Sequence, residues 1–235
     1  MTDTLNYAVI DTGNGRSFAG PHPLIEQQWP DADAASVMLL IGSGAGAALA
    51  GLKNAAGKTA VLVELHGECL GEHTGESAGN EGSNVLGFAR FQLGDGAPSN
   101  LIELVRQPGT TPEALAAAKQ VFEGVGFKVA VCLDFQGRII DKLVRPYYNA
   151  ALRRLDEGLA TAADMDLTLQ LGLGYPKGPI ALLEQTGLAH HYDVTQNLFE
   201  RLGDPAFAPA RRAQVAKRRA KAQGNGQGEG QGQGQ

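Results

Sequence analysis

Gly42-Ser43-Gly44-Ala45-Gly46-Ala47 follows an apolar run and opens an alanine-rich stretch. The segment fits G-x-G-x-x-G/A, in which glycines permit a tight turn and let the backbone approach a pyrophosphate. An acid about 20 residues further on binds a ribose hydroxyl in such sites. Gly42, Gly44 and Ala47 would hold the turn and Glu64 the acidic position, so the cofactor this motif suggests is NAD. The signal is weak by itself, because a chain with 32 glycines meets such spacing easily by chance. His66, Cys69 and His73 are zinc-ligand types, but three donors at this spacing match no standard structural site. No metal is expected. His66 ends an apolar run and is a candidate displaced base, at the cost of rebuilding the chemistry around it. His190-His191 reads as a solvated or capping pair at a helix start. Arg211, Arg212, Lys217, Arg218, Arg219 and Lys221 could grip phosphates or an acidic partner, or form a solvated helix end.

The elements that would position these residues change character near residue 135. Before it, short apolar runs alternate with Gly/Ala-rich stretches: strands are expected at Tyr7–Ile10, Val37–Ile41, Ala60–Leu65, Val85–Gln92, Leu101–Arg106 and Lys128–Leu133. Val37–Ile41 is apolar at every position, as in a parallel strand buried on both faces. A helix from Gly44 to Asn54 completes a βαβ unit. Thr111-Pro112-Glu113 supplies an N-cap, a first-turn proline and an acid for another helix. Gly20–Pro30 and His66–Asn84 read as irregular loops. After Asp134 the apolar period becomes helical, from Ile139 to Leu155, with Pro146 expected to kink the helix. Thr161 caps a second helix and Pro179 starts a third, which Gly187 ends. A fourth runs from His190 to Leu202. The expected architecture is α/β followed by all-α: a reduced Rossmann-like parallel sheet (1–135), a helical domain (136–210), and a basic helix with a disordered Gly/Gln tail (211–235).

Composition bounds the partners. A net charge of −5 argues against a general nucleic-acid binder. No apolar run approaches the ~20 residues that span a bilayer, and the start lacks a signal-peptide pattern. Two cysteines suit a reducing compartment, so a cytoplasmic location is expected. Met1 ahead of a start strand reads as a chain start and not as the edge of a fragment.

Specific motifs lie further along. Asp156-Glu157-Gly158-Leu159-Ala160-Thr161, with Asp164-Met165-Asp166, leads into Gly172-Leu173-Gly174-Tyr175-Pro176-Lys177-Gly178-Pro179. Gly203-Asp204-Pro205-Ala206-Phe207-Ala208-Pro209 follows. In this order the segments resemble the helical C-terminal domain of 3-hydroxyacyl-CoA dehydrogenases over about residues 135 to 210. Upstream, Asn100–Arg106 with Thr110–Glu113, Val85–Leu93, and Gly137–Lys142 are similar to further family segments. The closest pattern is the degenerate second unit of long bacterial members.

The resemblance implies an NAD-dependent oxidoreductase acting on acyl-CoA, and it also shows what is missing. The family's general base, a histidine suited to taking a hydroxyl proton as hydride leaves, falls on Ala89. The acid that holds it falls on Glu103, left with nothing to orient and so expendable. The substrate-contacting asparagine falls on Asp141, whose charge would oppose an oxyanion. The sheet domain is roughly 50 residues short of a usual Rossmann half. In a second alignment, Val37–Ile41 is a later family strand and the fingerprint strand is missing. The expectation is therefore a catalytically impaired, homodimeric acyl-CoA-binding or accessory subunit beside an active acyl-CoA enzyme. The alternative is an active dehydrogenase with a rearranged site.

Overall fold

A computed structural model describes residues 6–18, 20–76 and 82–228. The chain divides into two compact units, Met1–Gln92 with Pro98–Ile139, and Leu93–Ala97 with Ile140–Gln235.

The first unit is a six-stranded sheet: β1 (Tyr7–Asp11), β2 (Val37–Ile41), β3 (Ala60–Glu64), β4 (Val85–Arg90), β5 (Leu101–Arg106) and β6 (Lys128–Leu133). β1 to β4 run parallel, β5 lies antiparallel to β4, and β6 runs parallel to β5. Spatial order follows chain order throughout, so the strand order of this sheet nowhere reverses. β2 and β3 are buried at every residue, as the apolar runs at Val37–Ile41 and residues 60–63 require, with buried Glu64 closing β3. One face packs Leu39, Leu62, Phe88 and Leu104 against Phe122 of helix α4 (Pro112–Gly124) and against Phe127. The other face packs Met38, Leu40, Val63 and Val105 against Ala45 of helix α2 (Ala45–Gly51) and against Leu70.

Two segments expected to be irregular hold short helices. α1 (Pro23–Glu26) begins at proline, and the His22 ring accepts from the Leu24 N–H. Its Leu24 is fully buried, which anchors a segment too proline-rich to show helical periodicity. α3 (Gly71–Thr74) lies inside the glycine-rich stretch. Its N-terminal amides at Leu70 and Gly71 donate to Asp134, at 2.8 and 2.7 Å. A cap lent from more than sixty positions away leaves no local signal. Buried Lys58 ties down the chain before β2, its ammonium donating to the carbonyls of Ala32, Asp33 and Ala35 at 2.7 to 2.9 Å.

The second unit is helical: α5 (Ile140–Asp156), α6 (Ala162–Leu173), α7 (Pro179–Thr186), α8 (Leu188–Leu202) and α9 (Arg211–Gly228). Thr161 caps α6 by accepting from the Asp164 N–H, and Gly174 ends it in the left-handed conformation that glycine adopts without strain. Asp166 caps α7, accepting from Ile180 and Ala181 N–H at 2.9 Å each. The close pass of Gly178 over Asp166 makes this possible, since a Cβ there would lie 2.2 Å from the aspartate side chain. Helix α5 runs through Pro146. Helix α9 continues to Gly228, into the Gly/Gln tail expected to be disordered; residues 229–235 lie outside the described set. Among the described residues no helix is long and apolar enough to cross a membrane.

Candidate functional site

In the first unit, antiparallel pairing of β4 and β5 sets Ala89 opposite Glu103, and both are buried. Glu103 is not left without a task. Its carboxylate accepts from the Ile139 N–H at 2.9 Å and lies 3.5 Å from Nε of Arg138. Arg138 is itself buried, and its Nη2 donates to the His66 carbonyl at 3.0 Å. Its Nε and Nη1 make no hydrogen bond, so the pair is held by Coulomb attraction rather than a bidentate fork. The arginine gets there through two successive left-handed residues, Gly137 at φ 76° and Arg138 at φ 48°. That backbone costs a non-glycine residue about 1 kcal/mol or more and persists only where its surroundings enforce it. The neighbouring Cys132 thiol is pushed up to about 11, first by burial and then by Glu103 and Asp134, with Arg138 opposing. It is therefore no thiolate nucleophile at neutral pH.

The glycine motif sits where β2 meets α2. Gly42 is buried at φ 96°, and a Cβ there would lie 2.4 Å from the Gly13 carbonyl oxygen, so only glycine fits. The loop after β1 fills the turn. Ser43 N–H donates to the Gly13 carbonyl and Gly44 N–H to the Thr12 hydroxyl, both at 2.9 Å. Ala47 is exposed on α2. Glu64, at the end of β3, is 1 % exposed and accepts from the N–H groups of Arg16, Ser17 and Gly42 at 3.0, 2.6 and 2.7 Å.

His73 bonds Glu68 at 3.4 Å, and His66 buries an Nε2 that has no hydrogen-bond partner. Among the described residues no group of three or more His, Cys, Asp or Glu is placed to hold a metal ion.

In the second unit Asp141 starts α5 and is likewise paired. Nε of Arg145, one turn on and 2 % exposed, donates to it at 2.7 Å. Arg145 Nη1 lies 3.3 Å from Nδ1 of buried His191, whose Nε2 lies 3.0 Å from the Asn149 side-chain oxygen. Asn149 spends its amide N–H groups on the Ala206 and Phe207 carbonyls, so its oxygen must accept. The network thus fixes the tautomer: the His191 proton is on Nε2, and Nδ1 accepts from the arginine. Burial, with Arg145 adding to it, lowers the His191 pKa to about 3. The basic helix is partly spent on ion pairs, Arg211 and Arg212 with Asp156 and Lys217 with Asp193.

Residues 137–234 match the family model for the 3-hydroxyacyl-CoA dehydrogenase C-terminal domain. A 3-hydroxybutyryl-CoA dehydrogenase of Mycobacterium tuberculosis is 33% identical over 135 residues, 57% of this chain and 46% of the relative. The helical part of the chain is a 3-hydroxyacyl-CoA dehydrogenase C-terminal domain. The mitochondrial hydroxyacyl-coenzyme A dehydrogenase of Sus scrofa is 35% identical over 88 residues, 37% of this chain and 28% of that one. The chain therefore spans about half the length, or less, of the curated relatives it matches. Two crystal structures share the fold. M. tuberculosis FadB2 has a TM-score of 0.63 at 23% identity over 80% of this chain and 66% of that one. (S)-3-hydroxybutyryl-CoA dehydrogenase PaaH1 from Ralstonia eutropha has 0.63 at 20%, over 77% and 65%. The fold is thus a Rossmann-like sheet unit with the dehydrogenase family's helical unit.

Set against that family's pattern, the expectations for Glu103 and Asp141 need one correction each. Glu103 has a partner, and the Asp141 charge is compensated. Sequence reasoning missed both arginines, because isolated arginines beside helical segments read as solvent-facing. A signal for Arg145 was present: it shares the stripe of Asp141, Tyr148, Asn149 and Leu152, the buried side of an amphipathic helix. Nothing comparable marks Arg138, which a backbone turn puts in place.

Proposed function

We propose that this chain is a catalytically impaired member of the 3-hydroxyacyl-CoA dehydrogenase family that binds acyl-CoA as a homodimer, in an accessory role beside an active acyl-CoA enzyme. The observation that carries this is the commitment of the carboxylates at two of the family's site positions to arginines of the chain itself, Glu103 to Arg138 and Asp141 to Arg145. A general base must be free to take a proton at the reacting atom. Ala89 cannot do so, and a guanidinium beside Glu103 leaves no neutral partner to orient. The asparagine position is an aspartate tied to a buried cation, which takes it out of hydrogen bonding to a substrate oxygen.

The strand order bears on NAD. Dinucleotides bind open α/β sheets at the point where strand order reverses, and this six-stranded sheet has no such reversal. The donors of Gly42, Ser43 and Gly44 are also spent within the chain. If NAD binds, Gly42, Gly44, Ala47 and Glu64 are the positions that would have to meet it, supplying a turn for its phosphates and an acid for its ribose.

Acyl-CoA binding is assigned to the helical unit because that is where the family match is densest. The dimer rests on α6, which buries none of its residues and exposes Leu167, Leu171 and Leu173 at 51, 79 and 64 %. A stripe of this kind on a folded protein marks a partner surface.

Isothermal titration with acetoacetyl-CoA and with free CoA tests the binding role. Saturable heat with the thioester, absent with NADH alone, is expected. No heat with any CoA species would reject an acyl-CoA-binding function.

A further inference from the structure

Three backbone amides from two separate loops converge on one side chain. Arg16 and Ser17 follow the Gly13-Asn14-Gly15 loop after β1, and Gly42 leads the loop after β2. All three donate to the Glu64 carboxylate, which the fold closes off almost completely from solvent. Both oxygens are engaged, Oε1 by Arg16 and Ser17 and Oε2 by Gly42. A Cβ on Gly15 would lie 3.1 Å from Oε2, so the loop passes as near to the carboxylate as a glycine backbone allows. A buried anion without compensation is strongly destabilising. Here fixed N–H dipoles supply the compensation, in the manner of the concave backbone nests that bind phosphate groups.

We infer that Glu64 is a built-in anion: its carboxylate occupies an oxyanion cradle formed by the Gly13–Ser17 and Gly42 loops and does there what a bound phosphate would do. The cradle is a property of the loops and not of the glutamate. Freed of the side chain, it takes a small oxyanion such as formate or inorganic phosphate. The consequence for this protein is that the ends of β1, β2 and β3 are clamped together by a covalently attached ligand, and the sheet unit needs no nucleotide to complete it. This goes beyond the acyl-CoA reading, which rests on residues elsewhere, so each can fail alone. The present test reads stability, and the other reads CoA-ester binding.

The experiment is chemical rescue. Glu64→Ala and Glu64→Gln are compared with the unsubstituted protein by thermal unfolding in sodium formate, sodium phosphate and sodium chloride at matched ionic strength. Both substitutions are expected to lower Tm. Formate and phosphate should restore part of the loss in Glu64→Ala in a saturable way. Glu64→Gln should gain nothing beyond the chloride control, because its amide still fills the space. Glu64→Ala responding to formate and phosphate no more than the unsubstituted protein would overturn the proposal. Should Glu64→Ala not fold, Glu64→Gln decides: a Tm equal to that of the unsubstituted protein would show that the amides do not require a negative charge, and a lowered Tm would support it.

Discussion

At single side chains lie the grounds for the proposed loss of dehydrogenase activity. Asp141 and Arg145 lie one helical turn apart, and the arginine is almost wholly buried. Removing one member of such a pair leaves the other charge uncompensated, which costs more than the pair itself contributes. Asp141→Asn, which installs the residue that the family resemblance implies there, is therefore expected to lower unfolding free energy by about 3 kcal/mol. Pairing it with Arg145→Leu should recover most of that loss, since an apolar side chain of similar reach suits the buried stripe. Urea unfolding of the two single variants and the double variant checks this. Additive losses would show that the two residues are not coupled. A reversion aimed only at chemistry thus meets a structural penalty first. The same holds for Glu103, which sequence alone leaves idle and the fold commits to Arg138 and the Ile139 amide.

At the scale of elements, α5, α8 and the turn at Pro205–Phe207 are joined through His191, Asn149 and the carbonyls Asn149 holds. The unfolded-state imidazole titrates near 6.5, whereas the folded one is held to about 3. Between those values the unfolded chain takes up a proton that the folded chain refuses. This contribution is complete above pH ~6.5 and is lost as pH falls toward 3, by on the order of 4 kcal/mol. Unfolding midpoints measured from neutral pH to about pH 4 should drop more steeply for the native sequence than for His191→Gln. Parallel slopes would mean that His191 protonates without penalty.

The elements themselves were largely legible from sequence. Val37–Ile41 and residues 60–63 are unbroken apolar runs, and burial on both sheet faces allows little else. Thr111, Thr161 and Pro179 mark helix starts through local chemistry that needs no partner. What sequence did not reveal depends on distant groups. α3 is capped by Asp134, and the segment before β2 is fastened by Lys58. Glu64 faces three amides from loops on two other strands. The spacing from Gly42 to Glu64 is that of a nucleotide motif, yet the tertiary contacts turn the acid toward the chain's own backbone. The two arginines were missed for the same reason: pairing across a turn or a sheet leaves no periodic trace.

For the whole molecule, the proposed homodimer makes the exposed leucines of α6 the surface a second copy covers. Leu171, the most exposed of them, is the place to test it. Leu171→Asp would put a charge into that seam, and sedimentation velocity should show the dimer giving way to a monomer with unchanged helix content by circular dichroism. An unaltered dimer would move the interface away from α6. Hydride transfer is the deeper question, because its proposed loss would separate this chain from the enzymes it resembles. The most direct measurement is NADH oxidation by the purified protein in the presence of acetoacetyl-CoA, followed by absorbance. With Ala89 at the base position that the family resemblance implies and both carboxylates tied to arginines, no thioester-dependent oxidation is expected at any enzyme concentration. Oxidation that scales with protein and with thioester would contradict that, and would require a base other than Ala89, with His66 the first residue to replace.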